Sequence, residues 1–418
     1  MNLRPLVEDM MKLNKSIPIE PQIKLLIDNG WYDDARNCVA LSHEHGLICK
    51  QTHDKLAQML VGKPATAHPG HELYGGTAGF DSNTVLSSLQ FRRLTSVEDM
   101  KKAFKQAVNK IEIEPSTQCN RRCTYCPNSA PEFAHRLTKN EFFDMDMLEN
   151  MLSDLEDIDY DNKISLVGLN EFFMHEKNFE YAERIKDYLP KSYLHVYTNG
   201  DYLDRQQLVR AERAGIDLLV VSFHPQPGKP YDAAEVLDRT GKFMKRTGLQ
   251  LTITDYRKDE RLHMQAQMGK LNISAGLVNW DAHGHNWGGS LACGKHVAEP
   301  ETPCESPVNV LCLAQNGDFT LCGAVPRERT PENIANGAML GNLKDFPSIF
   351  HAYASDAMLY WRQHAFSTKR VPELCQKCSA RNSNYSRANK PIAEYIEEQG
   401  VNYVQAPNAP ALKRAVGA

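Results

Sequence analysis

The sequence lacks any apolar run long enough to cross a lipid bilayer, and it contains no internal repeat or low-complexity tract. Its first residues include acidic side chains and have no apolar stretch of the kind that precedes a secretory cleavage site. The 418 residues carry only a small excess of acidic groups, with a formal net charge of -4. We therefore expect a cytoplasmic protein whose main partners include neither a membrane nor nucleic acid, and whose function depends on a local site.

The cysteines carry the most information about the function of this chain. A reducing cytoplasm keeps thiols free, so the 11 cysteines are expected to be metal ligands or buried thiols rather than disulfide partners. Seven of them form two groups of candidate ligands, which are Cys119, Cys123 and Cys126, and Cys304, Cys322, Cys375 and Cys378. Two metal centres are therefore the first hypothesis.

The chain is long for a single hydrophobic core, and its pattern divides it into three regions. Residues 1–105 are predicted to be a helical region, because apolar side chains recur at helical spacing along much of it. Residues 106–290 alternate between short β-type runs and amphipathic helices. Residues 291–418 have few periodic apolar faces but contain six cysteines, so we predict a small domain that depends on bound metal for its stability.

The middle region is predicted to be an α/β unit. Its six β-type runs are 111–114, 164–167, 193–197, 218–222, 251–254 and 271–278. Strands that alternate with helices form a parallel sheet with right-handed crossovers, here either open or curled into a partial (β/α)6 barrel. Ligands of such sheets bind at the carboxyl ends of the strands, so the residues that follow each strand are the candidates for function.

The first cysteine group directly follows the first predicted strand. Cys119, Cys123 and Cys126 are separated by three and then by two residues. Three thiolates on one short loop can bind three irons of a cubane cluster and leave the fourth iron with an open coordination position. Zinc is the alternative metal, because cysteine spacings overlap between metal types.

This spacing, with the aromatic Tyr125 just before the third cysteine, resembles the radical S-adenosylmethionine (SAM) superfamily. The resemblance implies a [4Fe–4S] cluster whose open iron chelates the amino and carboxylate groups of SAM. In that family, one-electron reduction cleaves SAM to a 5′-deoxyadenosyl radical, which abstracts hydrogen from a substrate C–H bond. An electron donor such as flavodoxin or ferredoxin is implied as a partner.

The resemblance also assigns SAM-binding roles to residues that follow the later strands. The family has a Gly-x-Gly-Glu-Pro stretch after its second strand, where this chain has Asn170 in place of the second glycine and Phe172 in place of the proline. Glu171 holds the position that receives the SAM ammonium group. The candidate SAM-binding residues are Tyr125, Gly168, Glu171, Thr198, Asn199 and Ser222. The segment 279–289 is expected to contact adenine or substrate.

The second cysteine group lies in the C-terminal region. Cys304 and Cys322 flank Gly317 in a C-x12-G-x4-C pattern, and Cys375 and Cys378 form a C-x2-C pair. Four thiolates can close the shell of a cluster or of a zinc ion. The pattern resembles the auxiliary-cluster module of SPASM and twitch radical SAM enzymes. It fits the shorter twitch type with one auxiliary [4Fe–4S] cluster, because no further cysteine series follows.

Two cysteines of the C-terminal region, Cys293 and Cys312, remain outside both ligand sets. Either could replace a cluster ligand, and a free thiol could return a hydrogen atom to a substrate radical, as in radical epimerases. A small buried thiol is the simplest interpretation of both. Cys293 and Cys312 are therefore the candidate catalytic residues.

The leading functional hypothesis is a radical SAM oxidoreductase or epimerase that acts on a small polar substrate, such as a sugar or an aminocyclitol. Dehydrogenation would pass an electron to the auxiliary cluster, whereas epimerisation would take hydrogen from a thiol. One alternative is a radical SAM peptide maturase in which the N-terminal region holds a leader peptide. Another is a non-catalytic zinc or iron–sulfur protein, which would not bind SAM.

Overall fold

A ten-stranded β-sheet forms the centre of the fold. The computed structural model describes residues 18–28, 32–64, 85–226, 228–257, 259–284, 286–291, 302–328, 330–380, 389–397 and 403. The strands are β1 (Lys110–Ile113), β2 (Lys163–Leu166), β3 (Tyr193–Thr198), β4 (Leu218–Ser222), β5 (Thr252–Arg257), β6 (Arg261–Met268), β7 (Leu271–Val278), β8 (Val310–Leu313), β9 (Asp318–Thr320) and β10 (Met339–Asn342). Their order across the sheet is β10-β9-β8-β1-β2-β3-β4-β7-β6-β5.

The middle of this sheet is parallel. Strands β8, β1, β2, β3, β4 and β7 all run in one direction, and antiparallel strands extend the sheet at both ends. The two outermost strands, β10 and β5, do not pair with each other, so the barrel is not closed. These features confirm the predicted α/β fold with a partial six-stranded parallel barrel.

Five of the six predicted strands are parallel strands of the sheet, and the sixth parallel strand is a different one from that predicted. The run predicted at 251–254 becomes β5, an antiparallel edge strand that pairs with β6. Strand β6 was not predicted, because it has no continuous apolar run. Its polar residues alternate with apolar ones, which is the pattern of an antiparallel strand with one face in water. The sixth parallel strand is β8, which pairs with β1 from within the predicted C-terminal region. The boundary at residue 290 stays a prediction, although strands from both sides of it share one sheet.

Helices cover the sheet and connect its parallel strands. They are α1 (Ile19–Asp28), α2 (Tyr32–Glu44), α3 (Lys50–Met59), α4 (Val97–Ala107), α5 (Met145–Asp157), α6 (Lys177–Tyr188), α7 (Arg205–Arg213), α8 (Ala233–Thr247), α9 (Trp280–His283), α10 (Ser306–Asn309), α11 (Pro331–Ala335), α12 (Ile349–Ala354), α13 (Asp356–Ala365), α14 (Glu373–Gln376) and α15 (Lys390–Tyr395). Helices α5, α6 and α7 each join one parallel strand to the next. In the described ranges, no helix is long and apolar enough to span a membrane.

The N-terminal helices are attached to the edge of the sheet. The Gln22 side chain on α1 donates to the Leu251 carbonyl at 2.7 Å and accepts from the Ile253 amide at 2.7 Å. An open strand edge has unpaired backbone groups that invite aggregation, and Gln22 satisfies two of them on the β5 edge. Apolar residues of the same helices, such as Ile23 and Leu26, join the common hydrophobic core.

Candidate active site

A cavity of about 590 Å³ opens at the carboxyl ends of the parallel strands and extends into the lumen of the partial barrel. Its size is that of a typical small-molecule site. All of the predicted SAM-binding residues and the whole first cysteine group line it, namely Cys119, Cys123, Tyr125, Cys126, Gly168, Glu171, Thr198, Asn199 and Ser222. Residues from four separate chain segments, which the sequence connected only through strand order, therefore surround one space.

The first cysteine group is held in place by a carboxylate that follows β3. Asp201 accepts from Asn120 Nδ2 at 2.8 Å and from the Arg121 guanidinium at 2.7 and 2.8 Å. Arg239 on α8 adds a third interaction with the same carboxylate, at 3.0 Å. Asp201 thus ties the cysteine loop to the end of β3 and to helix α8. Sequence reasoning missed this anchor, because its partners lie far apart along the chain.

The three thiols of this group are poor anions in the absence of a metal. Burial raises the pKa of Cys119 and of Cys126 to about 12, and it also raises the pKa of Cys123. A bound metal provides the positive charge that stabilises such thiolates and releases their protons. These buried thiols therefore ionise at neutral pH only when a positively charged metal centre stabilises the thiolates.

The donor set fits an iron–sulfur cluster. Among the described residues, no group of three or more His, Cys, Asp or Glu side chains converges closely enough to hold one metal ion. A cubane spreads its thiolates over separate irons, so they need not converge on a single point. Three soft sulfur donors beside a cavity match a cluster that has one iron open to that cavity.

An aromatic wall borders the cluster loop. The Tyr125 hydroxyl and His224 Nδ1 are hydrogen-bonded at 2.7 Å, and the Tyr125 ring stacks on Trp280 with ring centroids 5.2 Å apart. The Trp287 indole donates to the Tyr125 carbonyl at 3.0 Å. Burial lowers the pKa of His224 to about 3, so this ring is neutral. Both tryptophans come from the segment expected to contact adenine or substrate, and both line the cavity.

Glu171 connects the ends of two neighbouring strands. One carboxylate oxygen accepts from the Thr198 hydroxyl at 2.6 Å and the Phe173 amide at 3.2 Å, and the other accepts from the Asn199 amide at 2.7 Å. The side chain is buried, and burial raises the pKa of this carboxyl to about 7 despite those hydrogen bonds. Thr198 and Asn199 therefore act on Glu171 directly, and all three face the cavity.

Gly168 has a steric reason for its lack of a side chain. A Cβ atom at this position would lie 2.4 Å from Glu114 Cγ and 2.5 Å from its Oε1. Glu114 is itself fully buried, pairs with Arg136 at 2.7 Å and accepts from the Leu169 amide at 2.6 Å. Only glycine allows the chain after β2 to pass this close to a buried ion pair.

The second cysteine group also gathers in space. Cys304, Cys322 and Cys375 are buried, and Cys378 is partly buried. Burial raises the pKa of Cys322 well above its usual value, and the nearby sulfurs of Cys378, Cys304, Cys312 and Cys375 raise it further. The other three predicted ligands therefore lie within electrostatic range of Cys322. Like the first group, the second group offers cysteine sulfurs as soft ligands for a metal centre.

The structure places the two candidate catalytic cysteines differently. Cys312 on β8 is fully buried, and its Sγ lies 3.6 Å from Glu112 Oε2. It is not among the residues that line the cavity. Cys293 lies outside the described residues.

Sequence reasoning did not identify the polar walls of the lumen. Lys110, Glu112, Lys163, His195 and Arg327 all line the cavity. Four of them occupy β1, β2 and β3 at alternate positions, which places them on one face of the sheet. The signal was present as charged and polar residues at every second position of otherwise buried strands.

Comparison with known proteins agrees with this geometry. The model of the Radical SAM superfamily matches residues 113–245. The S-adenosyl-L-methionine-dependent 2-deoxy-scyllo-inosamine dehydrogenase of Niallia circulans is 29% identical over 116 residues, which are 27% of this chain and 44% of that protein. The chain thus matches less than half the length of this curated relative.

Solved structures with similarity to this chain include two SAM-bound proteins. BtrN in complex with AdoMet and 2-DOIA is 19% identical, with a TM-score of 0.46, over 65% of this chain and 92% of that one. The structure of anSMEcpe with bound AdoMet shows 11% identity, with a TM-score of 0.37, over 73% of this chain and 91% of that one. The family match 113–245 contains the first cysteine group and every predicted SAM-binding residue. Residues 113–245 of the chain therefore match the radical SAM superfamily.

Proposed function

We propose that the chain is a radical SAM oxidoreductase that dehydrogenates a small polar substrate of the sugar or aminocyclitol type. The observation that carries this proposal is the single cavity shared by the C-x3-C-x2-C cysteines and the residues that follow β2, β3 and β4. Cys119, Cys123 and Cys126 would bind a [4Fe–4S] cluster, which would supply the electron for reductive cleavage of SAM to a 5′-deoxyadenosyl radical. The dehydrogenase relative supports the choice of reaction and of substrate class.

The chain's own residues would bind and orient SAM. Cys119, Cys123 and Cys126 would hold the cluster at the mouth of the cavity. Glu171, which accepts hydrogen bonds from Thr198 and Asn199, would present negative charge to the SAM ammonium group. Gly168 has no Cβ and therefore lets the chain after β2 pass close to the buried Glu114. Ser222 would donate or accept a hydrogen bond from the end of β4.

The aromatic wall would keep water away from the reacting atoms. Tyr125 and Trp280 form a stacked pair beside the cysteine loop, and Trp287 fixes the Tyr125 backbone. A reactive carbon radical needs such exclusion, because side reactions compete with hydrogen abstraction in an open site.

A second, auxiliary [4Fe–4S] cluster is part of the proposal. Cys304, Cys322, Cys375 and Cys378 would provide a full set of thiolates, which fits a twitch-type site. It would supply an acceptor for the electron that leaves the substrate during dehydrogenation. Flavodoxin or ferredoxin would serve as the external electron donor to the first cluster.

The environment of Cys312 favours dehydrogenation over epimerisation. A thiol that returns hydrogen to a substrate radical must reach the substrate, yet Cys312 is fully buried against Glu112. Cys312 is better suited to packing beside the lumen than to hydrogen transfer. Cys293 remains a candidate hydrogen donor for the epimerisation alternative.

The proposal is tested by anaerobic reconstitution with iron and sulfide, followed by dithionite reduction in the presence of SAM. We expect about eight irons per chain, four for each cubane, together with 5′-deoxyadenosine. Cys123→Ala should abolish 5′-deoxyadenosine formation. Cys49→Ala, which changes an exposed cysteine outside both groups, is the matched control and should retain it. A zinc-loaded, colourless protein that leaves SAM intact would refute the proposal.

A further inference from the structure

A chain of hydrogen bonds leads from the lumen of the partial barrel to the outer edge of the sheet. Ser274 on β7 lines the cavity, and its hydroxyl is hydrogen-bonded to His263 Nε2 at 3.0 Å. His263 Nδ1 is hydrogen-bonded to the Thr254 hydroxyl at 2.6 Å. The three residues lie on β7, β6 and β5, which are consecutive strands at one end of the sheet. We call Ser274, His263 and Thr254 the relay.

The hydrogen bonds between the three side chains run in one direction, from the lumen outward. The Thr254 hydroxyl donates its one proton to the His263 carbonyl at 3.4 Å. Its oxygen therefore accepts from His263 Nδ1, and a neutral imidazole with its proton on Nδ1 has an acceptor at Nε2. Ser274 then donates to Nε2. A hydroxyl oxygen accepts hydrogen bonds while it donates one, so Ser274 is arranged to receive a proton from a hydroxyl group in the cavity.

His263 is suited to pass a proton on and not to hold it. The side chain is 3% exposed, and burial together with Arg261 lowers the pKa of the ring to about 4. Arg261 itself pairs at 2.5 Å with Asp255, the residue opposite His263 on β5, and Arg257 lies 3.7 Å from the same carboxylate. A neutral ring that accepts a proton at Nε2 releases the proton on Nδ1. Thr254 is partly exposed on the edge strand, where a proton can leave to solvent.

We propose that the relay removes the hydroxyl proton of the substrate alcohol during dehydrogenation. This inference rests on the proposed function, in which an alcohol carbon is oxidised to a carbonyl carbon. The C–H hydrogen atom passes to the 5′-deoxyadenosyl radical, and one electron passes to the oxidised auxiliary cluster, which is reduced. The O–H proton then has to leave as the C=O bond forms, and a positioned base accelerates such a step.

The proton would move along the relay in three coupled transfers. The substrate hydroxyl gives its proton to the Ser274 oxygen, and the Ser274 proton moves to His263 Nε2. The Nδ1 proton moves to Thr254, which releases its own proton to solvent. Ser274 is the member that would contact the substrate, whereas His263 and Thr254 would act through it.

Nitrogen NMR of protein with isotope-labelled histidine tests the hydrogen bonds without turnover. The reconstituted protein is kept oxidised at neutral pH, and the His263 signals are assigned by their loss in His263→Gln. We expect a neutral ring with its proton on Nδ1. Ser274→Ala should move the Nε2 resonance, whereas Ser192→Ala, which changes a buried serine bonded to the Leu189 carbonyl, should leave it in place. A proton on Nε2, or an Nε2 signal that Ser274→Ala leaves unchanged, would overturn the relay.

Product analysis tests the proton transfer itself. The reconstituted protein receives SAM, dithionite and either glucose, glucosamine or scyllo-inosamine, and the carbonyl product and 5′-deoxyadenosine are measured together. Ser274→Ala and Thr254→Val should each slow formation of the carbonyl product by about tenfold or more, while 5′-deoxyadenosine still forms. Thr254 is not among the residues that line the cavity, so its variant separates proton transfer from substrate binding. Ser192→Ala should keep the wild-type rate.

The outcomes separate the relay from the proposed function. A wild-type rate of carbonyl formation in either Ser274→Ala or Thr254→Val would overturn the relay and leave the dehydrogenation in place. Absence of a carbonyl product from all three probes with the wild-type protein would overturn the proposed function, and with it the reaction that the relay serves.

Discussion

Replacement of Gly168 by alanine tests the steric argument at the SAM-binding end of the cavity. The added Cβ would lie 2.4 Å from Glu114 Cγ, 2.5 Å from its Oε1 and 2.6 Å from its Cδ. Glu114 cannot move away cheaply, because it is fully buried, pairs with Arg136 and accepts from the Leu169 amide. Overpacking of a core costs about 1–3 kcal/mol, and disruption of a buried ion pair costs about 3–5 kcal/mol. We expect Gly168→Ala to lower the free energy of unfolding by about 3 kcal/mol.

Denaturant unfolding of the metal-free protein, followed by tryptophan fluorescence, measures this loss. Gly46→Ala is the matched control, because Gly46 has a φ of 65° and its added Cβ would meet no atom within 4 Å. Its cost should be limited to about 1–2 kcal/mol of left-handed backbone strain. A loss for Gly168→Ala no larger than that of Gly46→Ala would refute the reasoning.

A double-mutant cycle identifies Glu114 as the cause. Once Glu114→Ala has removed the carboxylate, the methyl group of Gly168→Ala should add little further destabilisation. Arg136 keeps a second carboxylate partner, Glu328, at 2.5 Å, which limits the damage from the Glu114 change itself. Additive losses would show that the clash lies elsewhere.

Three further predictions concern the cluster sites and the lumen. Cys304→Ala should lose about half of the reconstituted iron and keep 5′-deoxyadenosine formation, whereas Cys38→Ala, a buried thiol hydrogen-bonded to Ser42, should keep all of it. Asp201→Asn should lower the free energy of unfolding by about 2 kcal/mol and reduce the iron bound at the first site, because the two guanidinium groups lose their shared carboxylate. His195 should make the fold less stable as the pH falls from 6.5 toward 4, because burial lowers the folded-state pKa and the unfolded chain takes up the proton first. His195→Gln should therefore remove about 2 kcal/mol of stability loss between about pH 7.5 and about pH 5 in denaturant titrations.

The parts of the site that could be predicted from the sequence are local ones. Cys119, Cys123 and Cys126 lie within eight residues, so their spacing alone restricts the chemistry. Glu171 and Thr198 follow buried strands, and parallel strands bring their carboxyl ends to one edge of the sheet. Strand order was therefore enough to gather them.

The parts that could not be predicted depend on distant pairings. Arg327 meets Glu112 across 215 positions of chain, and Gln22 meets Leu251 across 229. Strand β8 joins the parallel sheet beside β1, although its sequence context favoured a separate region. Local patterns carry no information about such contacts, because the same side chains would be compatible with a solvated surface.

Electron paramagnetic resonance of the reduced Cys304→Ala variant tests the central claim most directly. This variant should retain only the cluster held by the first cysteine group, so its signal reports on a single site. We predict the signal of a reduced [4Fe–4S] cluster whose g values change when SAM is added, because SAM would bind at the iron that the three cysteines leave without a thiolate. A signal that SAM leaves unchanged, or no cluster signal in a variant that is folded, would contradict the account.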